Sequence, residues 1–245
     1  MSNYTEWSKN WCLKFLDKHP LEKKNINKVY EDTIARYLKP GIVVYDAGGG
    51  KRCRYIKRVD KESMYVFALD ISDEELNFNL GVDGKFVTDV CENIPTPYGK
   101  VDMITSSYLC QHLINPKRFY KNAYKALKPY GLFINMFPCR YSVFATINRL
   151  LPEDVSKKIL NHFLPNAEDD CDYSATYENL WYSKVIQDYR KAGFRVEKIY
   201  LRYLQADYYH YCIPLFLLNY LWDWIMKKLQ LKNFASHMMI VARKI

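Results

Sequence analysis

An unbroken apolar run, Ile42-Val43-Val44-Tyr45, leads straight into Asp46-Ala47-Gly48-Gly49-Gly50. An apolar run without alternation suits a strand buried on both faces of a parallel sheet. Three glycines in succession at its end dictate a sharp turn, where another group must approach the backbone closely. The rhythm repeats downstream. Strands are expected at 64–69, 85–87, 101–105 and 132–137, and polar residues (Asp70, Asp89, Ser106-Ser107) follow the first three of these. Helical or turn segments are expected between them, at 51–59, 76–80 and 115–127, the last broken by Pro129-Tyr130-Gly131. A helix at 180–191 closed by Gly193 and strands at 194–201 and 237–242 complete the series. This alternation argues an α/β fold with a mostly parallel sheet. Open sheets of that kind bind ligands at the carboxyl ends of their strands, where the polar residues stand.

Composition narrows the class. The 245 residues are 49% hydrophobic, with Gly 9 and Pro 10, so the chain builds one sizeable core and is neither disordered nor low-complexity. Seven cysteines, an odd number with no CxxC pair, speak against a disulfide framework or a structural zinc cluster. A reducing, cytoplasmic setting fits best, and the start MSNYTEWSKNW has no apolar segment of signal-peptide type. The net charge is +9, and residues 1–61 carry fourteen Lys/Arg against seven Asp/Glu. A basic end can favour nucleic acid or anionic lipid. No zinc-finger spacing, RNP-like strand or Arg-rich helix accompanies it, so a solvated face is the preferred reading and nucleic acid is not expected as a partner.

Four regions follow. Residues 1–40 hold two helices, one at 4–18 with Trp7, Trp11 and Phe15 on one stripe, the other at 27–38 and stopped by Pro40-Gly41. Residues 41–137 form the ligand-binding core. Residues 138–180, with a helix expected at 152–164, interrupt the rhythm as a lid or substrate-binding insert. Residues 181–245 complete the core around a helical insert at 203–235.

The glycine turn constrains its ligand. A dinucleotide fingerprint asks for GxGxxG; Gly48 and Gly50 fit, but Cys53 holds the third place. Asp46 beside the turn is ill suited to a pyrophosphate and well suited to a cationic amino-acid or sulfonium group. Asp70, at the end of the second strand, can accept both hydroxyls of a ribose.

Five segments then carry a resemblance: VVYDAGGG (43–50), FALD (67–70), FVTDV with NIP (86–90, 93–95), VDMITSSYLCQHL (101–113) and FYKNAYKALKPYGLFI (119–134). In order and spacing the chain resembles the class I S-adenosylmethionine-dependent methyltransferases, near their type 11 small-molecule branch. Arg52 and Tyr130 stand where the pattern has glycines, and Gln111 where it commonly has glutamate. The resemblance implies a Rossmann-like fold: a mostly parallel seven-stranded sheet, helices on both faces and an antiparallel last strand. It implies S-adenosyl-L-methionine as cofactor, without metal. By motif, Asp46, Ala47, Gly48, Gly49 and Gly50 would take the methionine part, Asp70 and Ile71 the ribose side, and Asp89 and Val90 the adenine, with Ser106 and Ser107 lining the methionine end.

For the acceptor, His112 after the fourth strand is the candidate general base, with bracing of the lid as its bland alternative. Arg140, Tyr141, Tyr173, Tyr177 and His210 are candidate substrate contacts, and Asn135 a further one. No NPPY-type motif of amino-methylating nucleic-acid enzymes is present. The favoured function is O-methylation of a small molecule or glycan precursor. The alternatives are N- or C-methylation of a metabolite, or a non-catalytic scaffold on the same fold. Residues 213–229, IPLFLLNYLWDWIMKKL, read as a helix with one narrow polar stripe, Asn219, Asp223, Lys227 and Gln230. A helix so apolar needs more than one covering surface. The lid is one candidate cover; a homodimer partner, peripheral contact at the inner membrane surface or a greasy substrate is the other, and complete burial inside one monomer is the alternative.

Overall fold

A computed structural model describes residues 3–22, 24–55, 64–97, 99–151 and 174–245. Two helices open the chain, α1 (Asn3–Lys18) and α2 (Ile26–Tyr37). Strands β1 (Val43–Ala47) and β2 (Tyr65–Asp70) follow, then α3 (Asp73–Phe78), β3 (Gly84–Val87), β4 (Val101–Ser107), α4 (Pro116–Ala126) and β5 (Leu127–Pro138). Helices α5 (Val143–Leu150) and α6 (Tyr182–Ala192), strand β6 (Phe194–Arg202), helix α7 (Ile213–Lys228) and strand β7 (His237–Lys244) complete the described chain.

The strands form one seven-stranded sheet in the order β3-β2-β1-β4-β5-β7-β6. β1 to β5 pair in parallel, while β7 runs antiparallel to both β5 and β6. This is the Rossmann-like methyltransferase topology expected from the sequence. Successive strand residues feed opposite faces, as a strand period of two requires. Val44, Met103 and Ile134 meet Ile26, Tyr30 and Ile34 of α2 on one face. Ile104, Phe133 and Ile240 meet Phe119 of α4 and Val185 and Tyr189 of α6 on the other. The Phe133 and Tyr189 rings stack there, 5.5 Å apart.

Local signals set the helix ends. The Asn25 side chain caps α2 by accepting the Asn27 N–H at 2.8 Å, and the Ser72 and Ser142 hydroxyls cap α3 and α5. Gly193, at φ 101°, closes α6 in the left-handed region.

Two expectations need correction. Residues 51–55, where the sequence predicts the start of a short helix, form turns and irregular backbone instead, and send Cys53 and Tyr55 into the core. Pro129-Tyr130-Gly131 lies inside β5, which begins at Leu127 rather than Leu132. Tyr130 sits there at φ 63°, which explains why glycine is the usual residue at that place. The expected helix at 152–164 lies outside the described residues.

A third apolar cluster joins α1 to the insert between β6 and β7, with Cys12 against Tyr209 and Phe216. Phe15 meets the Phe216 and Tyr220 rings edge-on, at 5.7 and 5.0 Å. The polar stripe of α7 faces inward: Asn219 and Asp223 are buried, while Leu218 and Leu221 are exposed.

Candidate active site at the carboxyl edge of the sheet

β1 delivers the glycine turn to the carboxyl edge of the sheet, in the crevice between β2 and β4. The Gly48 and Gly49 N–H groups both donate to the Leu69 carbonyl, at 2.8 and 3.1 Å, and fold the turn back over β2. Gly48 adopts φ 71°, and a Cβ on Gly49 would stand 2.9 Å from Ala68 Cβ; both places therefore demand glycine. The Gly50 N–H donates to Asp70 Oδ2 at 3.0 Å, and the Ser72 N–H to Oδ1 at 3.1 Å. Each carboxylate oxygen retains a second acceptor site. Asp70 is thus held in place by backbone, and Ser72 rather than Asp70 caps α3.

A buried asparagine clamps the turn from the other side. Asn79 Nδ2 donates to the carbonyls of Gly49 and Gly50, at 3.1 Å each. Asn122 does the same for the next loop, donating to the Val90 and Cys91 carbonyls at 3.0 Å each. Asp89 is exposed and accepts the Cys91 N–H at 2.7 Å, while the Val90 side chain is core. Ile71 is exposed beside Asp70. Sequence reasoning missed both asparagines, since a single Asn inside or after a helix carries no pattern.

At the carboxyl end of β1 Asp46 is buried, and Thr105 Oγ1 donates to its Oδ1 at 2.8 Å. Burial pushes this carboxyl up to about 6, against the pull of the Thr105 hydrogen bond and of Arg54. Arg54, also missed, lies 5.0 Å from the centre of the Tyr108 ring. Ser106 pairs in register with Ala47 of the turn. Its buried hydroxyl has no hydrogen-bond partner among the described residues. A buried orphan of this kind, next to a turn with no side chains and a desolvated carboxylate, fits a polar, cationic ligand end. Ser107 is half-buried in register with Met136.

A second wall of the crevice is built after β4. Tyr108, at φ 54°, donates through its hydroxyl to Asn27 Oδ1 at 2.8 Å, and its ring meets that of His237 at 5.9 Å. His237 is buried; burial pushes it down to about 3, and Arg202 adds to the shift. Its ring is therefore neutral and a weak proton acceptor. His112 Nδ1 lies 3.2 Å from the Ser174 carbonyl, and Nε2 lies 3.0 Å from Gln111 Nε2. A carbonyl only accepts, so Nδ1 carries the proton and Nε2 presents its lone pair. Gln111 Nε2 also donates to the Tyr108 carbonyl at 2.6 Å, which fixes its amide orientation.

The Thr176 and Tyr177 N–H groups donate to the Gln111 carbonyl at 2.8 and 3.1 Å, and Arg140 Nη1 donates to the Tyr177 carbonyl at 3.2 Å. His112, Tyr177 and Arg140 are thereby brought together, with Arg140 holding the loop. Half-buried Tyr208 lies within electrostatic reach of Tyr108 and Tyr177 and stacks on Phe144 at 5.1 Å. Three other candidates stand elsewhere. Tyr141 packs outward on Trp181 and Phe234. His210 bonds its own turn through the Asp207 carbonyl, and its backbone carbonyl accepts from Ser8 of α1. Asn135 donates to the Tyr189 hydroxyl and Cys110 Sγ inside the helix-covered core. Tyr173 lies outside the described residues. Among the described residues no cluster of His, Cys, Asp or Glu is disposed to hold a metal ion.

Residues 45–135 match the family model of the methyltransferase domain. No curated protein matches the sequence. Among solved structures the chain is similar to geranyl diphosphate methyltransferase in complex with S-adenosylmethionine (TM-score 0.55, 12% identity, 89% of this chain and 84% of that one). It is also similar to a candidate sarcosine dimethylglycine methyltransferase of Galdieria sulphuraria (0.54, 15%, 89% and 85%). A third is an S-adenosylmethionine-dependent methyltransferase of Thermotoga maritima, a candidate histamine N-methyltransferase (0.52, 16%, 89% and 88%). At such identities the structures attest the fold, and the family match covers the stretch that builds the cofactor edge. Residues 45–135 carry a methyltransferase domain, and the sheet they build has the Rossmann-like methyltransferase fold. S-adenosylmethionine is the bound ligand in the first of these structures.

Proposed function

We propose that the protein transfers a methyl group to an oxygen of a small molecule or glycan precursor, with His112 as the general base. The orientation of His112 carries this reading. With Nδ1–H held by the Ser174 carbonyl, Nε2 is the basic nitrogen, and the Gln111 amide donates to its lone pair. An acceptor hydroxyl replacing that amide as donor would place its proton on Nε2, and the Ser174 carbonyl would stabilise the imidazolium. Tyr108, Tyr177 and Tyr208 offer flat faces and hydroxyls suited to a polar ring such as a sugar.

On the cofactor side, the glycine turn and Asp46 would take the amino-acid end, with Arg54 the nearby cation for its carboxylate. Asp70 would accept from the ribose, and Asp89 and Val90 would meet the adenine. S-adenosylmethionine, when bound, supplies a methyl group already activated by its sulfonium. The chain's part is to align the acceptor, exclude water and accept the proton. The names of the similar structures span methylation at nitrogen and on a terpenoid diphosphate, so the hydroxyl reading rests on His112. The cysteines at the described positions are free thiols, which suits the cytoplasm. Burial pushes Cys110 up to about 12, so it is no nucleophile at neutral pH.

His112→Ala tests the proposal. Turnover should fall roughly 10²–10⁴-fold, with the pH profile losing its imidazole limb and S-adenosylhomocysteine affinity unchanged. A small, pH-independent loss would reduce His112 to a brace for the loop at 174–177.

A further inference from the structure

Helix α7 is turned inside out for a surface helix. Its polar residues Asn219 and Asp223 are buried, and its outward arc carries Leu217, Leu218, Leu221, Trp222, Trp224 and Leu229. Leu218 is 67% exposed and Leu229 61%. Lys228 stands on the same arc, with its ammonium 4.6 Å from the centre of the Trp224 ring. The surface continues onto α1, where Tyr4, Trp7, Trp11, Lys14 and Lys18 recur at intervals of three and four and so share one exposed stripe. Trp11 joins the two helices by meeting the Phe216 ring at 6.4 Å. On the other flank Trp222 meets Phe234 at 6.2 Å, and the Lys232 ammonium lies 5.1 Å from the Tyr182 ring centre.

We infer that α7 and the exposed stripe of α1 form a docking face for an anionic phospholipid surface, with α7 lying in the plane of the headgroups. The charge of the face selects this occupant. From Tyr208 to Ile245 the sequence holds a single acid, Asp223, which is buried, while Lys228 and Lys232 border the apolar arc of α7 and Lys14 and Lys18 the stripe of α1. Tryptophan, tyrosine and lysine at the border of an apolar band are the residues that sit at the headgroup level. No helix among the described residues is long and apolar enough to cross a membrane, so α7 can lie on a bilayer but not span it. A second copy fits less well. Two-fold pairing of α7 on α7 sets a patch against itself, which would bring the basic rim of Lys228 and Lys232 against its like with no exposed acid on α7 to answer it. The inference does not depend on which acceptor atom is methylated.

Co-sedimentation of the full chain with phosphatidylcholine vesicles, with and without phosphatidylglycerol, tests it. Binding is expected to the phosphatidylglycerol vesicles, weakening with salt, with tryptophan emission shifting to the blue. Lys228→Glu with Lys232→Glu should lower partition to those vesicles by roughly 30-fold or more. Leu218→Gln with Leu221→Gln should lower it at least ~10-fold. S-adenosylhomocysteine affinity is the control for folding and should match wild type in both. Protein that stays in the supernatant with phosphatidylglycerol vesicles overturns the inference. So does a stable dimer, seen by sedimentation, that Leu218→Gln with Leu221→Gln dissolves.

Discussion

The cofactor edge and the C-terminal insert each hang a backbone turn on one buried side chain, and they do it with opposite chemistry. At the cofactor edge, neutral Asn79 donates to the carbonyls of Gly49 and Gly50. In the insert, Asp223 accepts the Gln205 and Ala206 N–H groups at 2.7 and 3.0 Å, and Gln205 Nε2 at 3.2 Å. The first clamp uses no acceptor that a ligand would need, so Asp70 and Ser106 still face the crevice with capacity to spare. The second uses Asp223 for its own connection and keeps Asn219 buried, and apolar and basic residues face outside. One region is organised to receive a polar molecule, the other to meet an apolar boundary.

The sharpest break of this comparison is at Asp223. Asp223→Ala strands two buried backbone donors, each of which costs ~1–3 kcal/mol when left unmade, so chemical denaturation should show a loss of about 3 kcal/mol. Burial pushes this carboxyl up to about 7. A folded-state value above the unfolded one contributes stability at low pH that is lost as pH rises through about 7. Wild type should therefore weaken between pH 4 and 8 at this site, and Asp223→Ala should flatten that part of the profile. A loss under ~1 kcal/mol would mean that the insert is held by its apolar contacts alone.

On the cofactor edge the effects should appear in binding. Asp70→Ala should weaken S-adenosylhomocysteine by ~1.5–3 kcal/mol, as loss of hydrogen bonds to a charged acceptor does. Asn79→Ala should weaken it less, by about 1 kcal/mol, because the glycine turn loses its clamp but keeps its bonds to Leu69. Calorimetry checks both. Equal effects would show that Asp70 serves only to hold Gly50.

The difference between the two regions also governed what the sequence could reveal. Backbone-built features were legible: an unbroken apolar strand, three glycines and an acid at the next strand's end suffice to locate the turn and Asp70. The α/β class with a mostly parallel sheet followed from the same alternation, and the seven strands with an antiparallel last one from the family resemblance. Clamps made by single side chains across long separations, Asn79 on Gly49 or Asn122 on Val90, leave no periodic trace. Arg140 and Tyr141 illustrate the limit. Adjacent in sequence after β5, they part in space, Arg140 turning in to the loop at 176–178 and Tyr141 turning out to Phe234. On α7 the polar stripe was visible, but its direction was not, because a narrow polar stripe inside an apolar helix reads the same whether it faces water or a buried turn that needs acceptors.

Asp46 offers a graded test of the cofactor edge. Its carboxyl is pushed up to about 6 by burial, so it is ionised at pH 7 and protonated below 6. If it faces the ligand's ammonium, S-adenosylhomocysteine affinity should hold from pH 8 to 7 and fall below pH 6 by at most ~10-fold per unit. Asp46→Asn should remove that slope while lowering affinity at pH 7. An unchanged slope in the variant would assign the titration to another group.

The smallest effect is expected on the outer arc of α7, on the same helix as Asp223. Leu218 is 67% exposed, so Leu218→Gln gives up little burial, and glutamine is nearly as good a helix former as leucine. Denaturation of the isolated protein should change by no more than ~0.5 kcal/mol, the usual range for surface positions, even though the same substitution, paired with Leu221→Gln, should strip the protein from anionic vesicles. A Leu is kept in water at the cost of the burial it forgoes, and that arrangement makes sense when its burial is supplied by a surface outside the chain. A loss near 2 kcal/mol in the isolated protein would show that α7 is already covered in solution. The contrast between a polar receiving edge and an apolar docking face would then collapse into one folded core.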